Sequence, residues 1–200
     1  MHSSRRVERA GLWWLVCLLL AGGVLAVLGL EARDARQKVA REDEALAAVR
    51  ALLQLSEAQR KQSGRYVWLE DLGGAGALPF ATVVGAQGLE ARTPGYRLQI
   101  LLPTGRDPGG AVLLAPAGAS VDVLLAARHM AVVARPLVPG VDGYRSFYAD
   151  ETGRIFVQEG AVDAEGLRES ALPRARLERP SGAESPGPVW RLLEDLDRGS

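Results

Sequence analysis

Asparagine is absent from this 200-residue chain, and lysine occurs only as Lys38 and Lys61. Without asparagine there is no N-glycosylation acceptor. Cys17 is the lone cysteine, which excludes an internal disulfide and a cysteine-based metal cluster. The two histidines fall in different parts of the chain, His2 in the tip before the long apolar run and His129 in an expected strand, so no histidine pair is available for metal or acid–base work. Charge of one sign is also lacking: 24 basic residues balance 24 acidic ones. That balance gives no general attraction to nucleic acid or acidic lipid. Neither a phosphate-cradling glycine loop nor a Gly-x-Ser-x-Gly nucleophile turn occurs. Asp150 and Glu151 are adjacent carboxylates with Asp142 near in sequence, the ligand type calcium takes. The phrase Asp150-Glu151-Thr152-Gly153 is, however, ordinary turn chemistry. The composition therefore predicts a non-catalytic protein without cofactor or resident metal.

What the chain does have is one long apolar run. Residues 10–30 read AGLWWLVCLLLAGGVLAVLGL, without a charge. Roughly 21 helical residues, at about 1.5 Å each, match the ~30 Å hydrocarbon core of a bilayer. Arg5, Arg6 and Arg9 precede the run, and residues 31–43 after it are balanced in sign. The excess of arginine before the run places residues 1–9 in the cytoplasm and the rest of the chain outside it. Trp13 and Trp14 lie at the cytoplasmic end, where indole rings favour the headgroup layer. A cleaved signal peptide is the competing reading. The run is longer than the usual ~7–15 residues of such a segment, and its exit offers a poor cleavage site. Cys17 within it reads as a small buried hydrophobe.

Residues 31–62 contain neither proline nor glycine and are rich in good helix formers. Val39, Leu46, Val49 and Leu53 recur at helical spacing, widened by Ala35 and Leu52, so the segment reads as an amphipathic helix continuing the anchor. Two destinations are open to this apolar stripe: the chain's own sheet, or neighbouring copies. Gly64 is placed to cap the helix.

Residues 63–160 then read as a small α+β domain. Tyr66, Trp68, Leu69 and Leu72 anchor a glycine-rich loop. Tyr96, Leu98, Ile100 and Leu102 share one face of a strand, residues 112–114 form a short strand, 121–127 is strand or helix, and 129–138 is a strand ending at Pro139-Gly140. Two alternating runs, 144–149 and 154–159, flank a short turn and read as a hairpin. The expected architecture is α+β, with a long N-terminal helix packed on an antiparallel sheet of three to five strands. Residues 161–200 shift to Arg, Glu, Pro, Ser and Gly and read as a mostly disordered tail. Within it, 189–197 reads as one or two helical turns carrying Trp190, Leu193 and Leu196. That end is either solvated or a docking peptide for a partner groove.

The order of these parts, together with two phrases, resembles the type IV pilins and the pseudopilins of type II secretion. One phrase is Ser63-Gly64-Arg65-Tyr66-Val67-Trp68-Leu69-Glu70-Asp71-Leu72, similar to the segment just after the first helix in those proteins. The other is Gly95-Tyr96-Arg97-Leu98, then Val132-Val133-Ala134-Arg135-Pro136, then residues 146–155, similar to their terminal strands. The resemblance covers roughly residues 10–158. It implies the pilin fold, a bacterial inner-membrane anchor with the domain in the periplasm, and partners among pilin-like subunits or secretion-system proteins as well as the lipid bilayer. Family members carry a glycine followed by a phenylalanine-rich start, and a glutamate at the fifth mature position. Here the nearest site is Gly11-Leu12, and the fifth position after Gly11 is Val16. Two functions are therefore expected as alternatives: a pilin-like structural or assembly component, or a membrane-tethered interaction module that does not polymerise.

Overall fold

The computed structural model describes residues 4–72, 80–85, 88–110, 112–159 and 190–195, with side chains described among these from Leu19 to Leu193. The chain divides into two compact units, Met1–Val39 and Ala40–Ser200. Helix α1, Ser4–Ser63, supplies all of the described first unit and opens the second.

In the first unit the large apolar side chains between Leu19 and Leu30 are all exposed. Asp34 and Lys38, one turn apart, form an ion pair at 2.7 Å. Among the described residues no helix is long and apolar enough to cross a membrane. The first half of the uncharged run, residues 10–18, lies outside the residues whose side chains are described.

The second unit is an antiparallel sheet covered by the remainder of α1. Its strands are β1 (Ala81–Gly85), β2 (Gly88–Thr93), β3 (Tyr96–Arg106), β4 (Val112–Ala115), β5 (Ala131–Pro136), β6 (Arg145–Asp150), β7 (Arg154–Glu159) and β8 (Arg191–Asp195). They run in the order β1-β2-β3-β5-β6-β7-β8, with β4 paired to the far end of β3. A four-residue helix, α2 (Val123–Ala126), precedes β5, its N-terminus capped by Asp122 Oδ1 accepting from the amides of Leu124 and Leu125. Residues 121–127, open between strand and helix in the sequence, thus hold a helix.

Burial follows the two periodicities. From the helix come Ala45, Ala48, Val49, Leu52 and Leu53; from the strands Leu98, Ile100, Val132, Ala134, Phe147, Ala149 and Ile155 meet them in one core. Alternate strand residues point the other way. There Leu101, Val133, Tyr148 and Phe156 form a second cluster, with Trp190 packed on it at 5.9 Å from the Tyr148 ring. Beside that cluster the same face carries buried polar groups, with Gln99 Nε2 donating to Glu90 Oε1 at 3.0 Å. The helix ends where Gly64 adopts φ 78° and donates its amide to the Arg60 carbonyl.

Two expectations change. Among the described residues the sheet has eight strands rather than three to five, because β1 and β2 add a hairpin ahead of β3 and β8 closes the opposite edge. The helical turns expected over 189–197 are, across 191–195, the strand β8. Pairing with β7 decides this: Arg191, Leu192, Glu194 and Asp195 oppose Val157, Phe156, Ile155 and Arg154, with a register shift that leaves Leu193 unopposed. Of the two destinations open to the apolar stripe, this part takes the chain's own sheet: Val49 and Leu53 are buried in the core and Leu46 packs against it. Residues 161–189, read as a disordered tail, lie outside the described residues.

Candidate functional site: a cleft at the end of the long helix

The last turns of α1 place Leu53, Glu57, Arg60 and Lys61 on adjoining positions of one face. Gly64 reverses the chain, and Tyr66 folds back over that face, its amide donating to the Ala126 carbonyl at 2.8 Å. Between these turns, the end of α2 and the β6–β7 turn lies a cleft of about 970 Å³. Leu53 and Met130 form its apolar floor; Lys61 and Arg128 stand at its rim; Glu151, Thr152 and Gly153 close the opposite wall.

The polar groups inside it are tightly paired. Arg60 donates through Nε and Nη2 to both Glu57 oxygens, at 2.8 and 2.7 Å, and the Tyr66 hydroxyl donates to Glu57 Oε2 at 3.0 Å. The Arg60 guanidinium also lies 5.5 Å from the centre of the Tyr66 ring. Hydrogen bonding from Arg60 is the main reason the Glu57 carboxyl titrates below its ordinary value of 4.5. Burial, reinforced by the Glu57 carboxylate, pushes the Tyr66 hydroxyl well above the ordinary tyrosine value. At neutral pH Glu57 is therefore a saturated carboxylate and Tyr66 a neutral donor.

The linkage has a definite sign. A carboxylate with a lowered folded pKa stabilises the fold above its unfolded pKa, and that contribution fades as pH falls through the lowered value. Glu57 is part-exposed, so the contribution is under about 1 kcal/mol. Thermal melts of the wild type and Glu57→Gln should converge as the pH drops from about 6 to about 3. A constant gap across that range would show that the pair does not act through the Glu57 charge.

On the far wall, His129 Nδ1 lies 3.0 Å from Glu151 Oε1. The turn that carries Glu151 is fixed by Asp150, whose Oδ1 accepts from the Thr152 and Arg154 amides and whose Oδ2 pairs with Arg154 at 3.1 Å. Asp142 instead pairs with Arg41 at 2.9 Å. The three carboxylates weighed for calcium thus engage three different partners, and among the described residues no group of three or more ligand side chains is gathered for a metal.

A second polar assembly ties α1 to the β5–β6 loop. Glu42 is only 3 % exposed; its Oε1 accepts from the amides of Tyr144 and Arg145, and its Oε2 pairs with the Arg145 guanidinium. Burial lifts the Tyr96 hydroxyl above the ordinary tyrosine value, and this hydroxyl donates to the Arg145 carbonyl at 2.8 Å. Gly143 is required here, because a Cβ at that position would meet the Tyr96 oxygen at 2.1 Å.

Of the residues expected to interact, Val39 is exposed at the end of the first unit, Leu46, Val49 and Leu53 serve the core, and Leu53 also floors the cleft. Trp190 docks on the chain's own Tyr148, and Leu193 is exposed on β8. Leu196 lies outside the described residues. Sequence reasoning missed Glu42, Arg145 and the His129–Glu151 pair. Glu57 and Arg60 carried a local signal, their spacing of three on a helix; Glu42 and Arg145 carried none. No protein family, curated protein or solved structure matches the chain.

Proposed function

We propose that this chain is a membrane-anchored, pilin-like structural or assembly component of a secretion or pilus-type system, without catalytic activity. The observation that carries this reading is one helix, Ser4–Ser63, that includes the whole uncharged run of residues 10–30 and then packs on an antiparallel sheet through Ala45 to Leu53. Within the run, every described large apolar side chain from Leu19 to Leu30 is exposed to solvent, a state that a bilayer relieves. The basic flank before the run favours a cytoplasmic N-terminus and an extracytoplasmic domain, in a bacterial inner membrane.

A specific observation favours a second reading, a tethered interaction module that stays monomeric. The Leu46, Val49 and Leu53 part of the apolar stripe of α1 is taken up by the chain's own core, and the position of the filament-entry glutamate holds Val16. The cleft between Tyr66, Lys61 and Glu151 is then the surface that a partner contacts.

N-terminal sequencing of the mature protein, expressed with a prepilin peptidase and separated into membrane and soluble fractions, tests the proposal. Membrane-bound protein trimmed after Gly11 supports the assembly component. An intact N-terminus in the membrane favours the tethered module. Soluble protein starting near Glu31 overturns both.

A further inference from the structure

The loop that joins β5 to β6, residues 137–144, is held by an unusual density of polar bonds while its apolar side chains face outward. Asp142 Oδ2 accepts from the Val138 amide, the Asp142 amide donates back to the Val138 carbonyl, and the Gly140 amide donates to the Gly143 carbonyl. Arg41 on α1 donates to Asp142 Oδ1 and to the Val141 carbonyl, and Glu42 binds the amides of Tyr144 and Arg145. The Leu137 amide reaches the Gly95 carbonyl at 2.8 Å. Against this scaffold, Val138, Val141 and Tyr144 are each more than half exposed, and Leu137 more than a third. A preorganised apolar tip loses little conformational freedom on docking, which is what makes such a patch effective.

We propose that this loop is a rigid foot that seats in the interfacial layer of a lipid bilayer. The inference rests on the anchor reading above. Arg41 and Glu42, which hold the loop, follow Leu30 by eleven and twelve residues. These residues belong to α1, so Arg41 stands about 16 Å beyond Leu30 along the helix. A membrane-inserted run therefore keeps the loop at high effective concentration over the lipid surface, so that weak apolar contact suffices. The side chains suit that layer: a valine pair and a leucine insert shallowly, and tyrosine favours the headgroup boundary. The charges at the base cancel, Arg41 against Asp142 and Arg145 against Glu42. Seating is consequently apolar in origin and indifferent to lipid charge and to salt.

The test uses the full chain with Cys17→Ser, carrying Val141→Cys labelled with a polarity-sensitive fluorophore, in phosphatidylcholine vesicles. Leu124→Cys on α2, an exposed site away from the loop, is the labelled control. The expected result is blue-shifted emission at 141, quenched by shallow spin-labelled lipid and unchanged between roughly 0.05 and 0.5 M salt, with water-like emission at 124. Adding Val138→Asp should abolish the shift at 141 without altering circular dichroism or the thermal melt. Chain that floats with the vesicles yet emits as in water at 141 overturns the proposal. A shift confined to native membranes, and missing from pure lipid, also overturns it and assigns the loop to a protein partner. Failure to float with vesicles at all overturns the anchor reading, and the inference with it.

Discussion

Truncating Arg145 to alanine should destabilise the fold by about 3 kcal/mol, because it leaves a buried carboxylate without its cation. Glu42 is almost fully enclosed, whereas the Arg145 side chain is about a third exposed. The asymmetry predicts the order of effects. An orphaned Glu42 has no route to water, while an orphaned Arg145 reaches solvent. Glu42→Gln, which keeps an acceptor for the Tyr144 and Arg145 amides, should therefore cost less, about 1–2 kcal/mol. The double variant should cost less than the sum of the two single ones, as groups in direct contact do. Urea unfolding of the full chain, followed by circular dichroism, reads all three. A loss under about 1 kcal/mol for Arg145→Ala would mean that Glu42 is solvated and that the loop is not clamped.

The second large effect is expected at the centre of the helix–sheet interface. Leu52 is fully buried among Leu98, Ile100 and their neighbours, and Leu52→Ala should cost about 2–5 kcal/mol by lost transfer energy plus the cavity left behind. Val39→Ala is the matched control. Val39 is half exposed, so its truncation should stay within about 0.5 kcal/mol. Equal losses at the two positions would contradict the assignment of the buried face of α1.

These two sites also show why parts of the fold could be read and others could not. The stripe through Leu46, Val49 and Leu53 is a local signal at helical period, and Gly64 ends it where a positive φ is needed. The β6–β7 hairpin is similarly local, since alternation on both sides of Asp150 to Gly153 declares itself within a few residues. The edge strands do not declare themselves. β1 exposes Val83 and Val84 together, and β8 exposes Leu192 and Leu193, so neither alternates cleanly. Pairing with a neighbour distant in sequence defines them. The Glu42–Arg145 clamp is farther from view still. A glutamate on a charged helix reads as solvated, and only a partner 103 residues later shows that it is buried. His129 and Glu151 meet for the same reason, through strand placement rather than spacing.

The long sequence separations in this unit have a consequence for biosynthesis. Helix α1 is made first, but the partners of its apolar face on β5, β6 and β7 emerge roughly 80 to 110 residues later, at ribosomal speeds of about 5–20 residues per second. In that interval Val49, Leu52 and Leu53 have only part of their cover, from Tyr66, Leu69, Leu98 and Ile100. Folding dominated by such distant pairings is slow, and its exposed intermediates aggregate. The nascent chain therefore needs shelter in just that interval, from a chaperone or from passage through a translocation channel before the sheet closes.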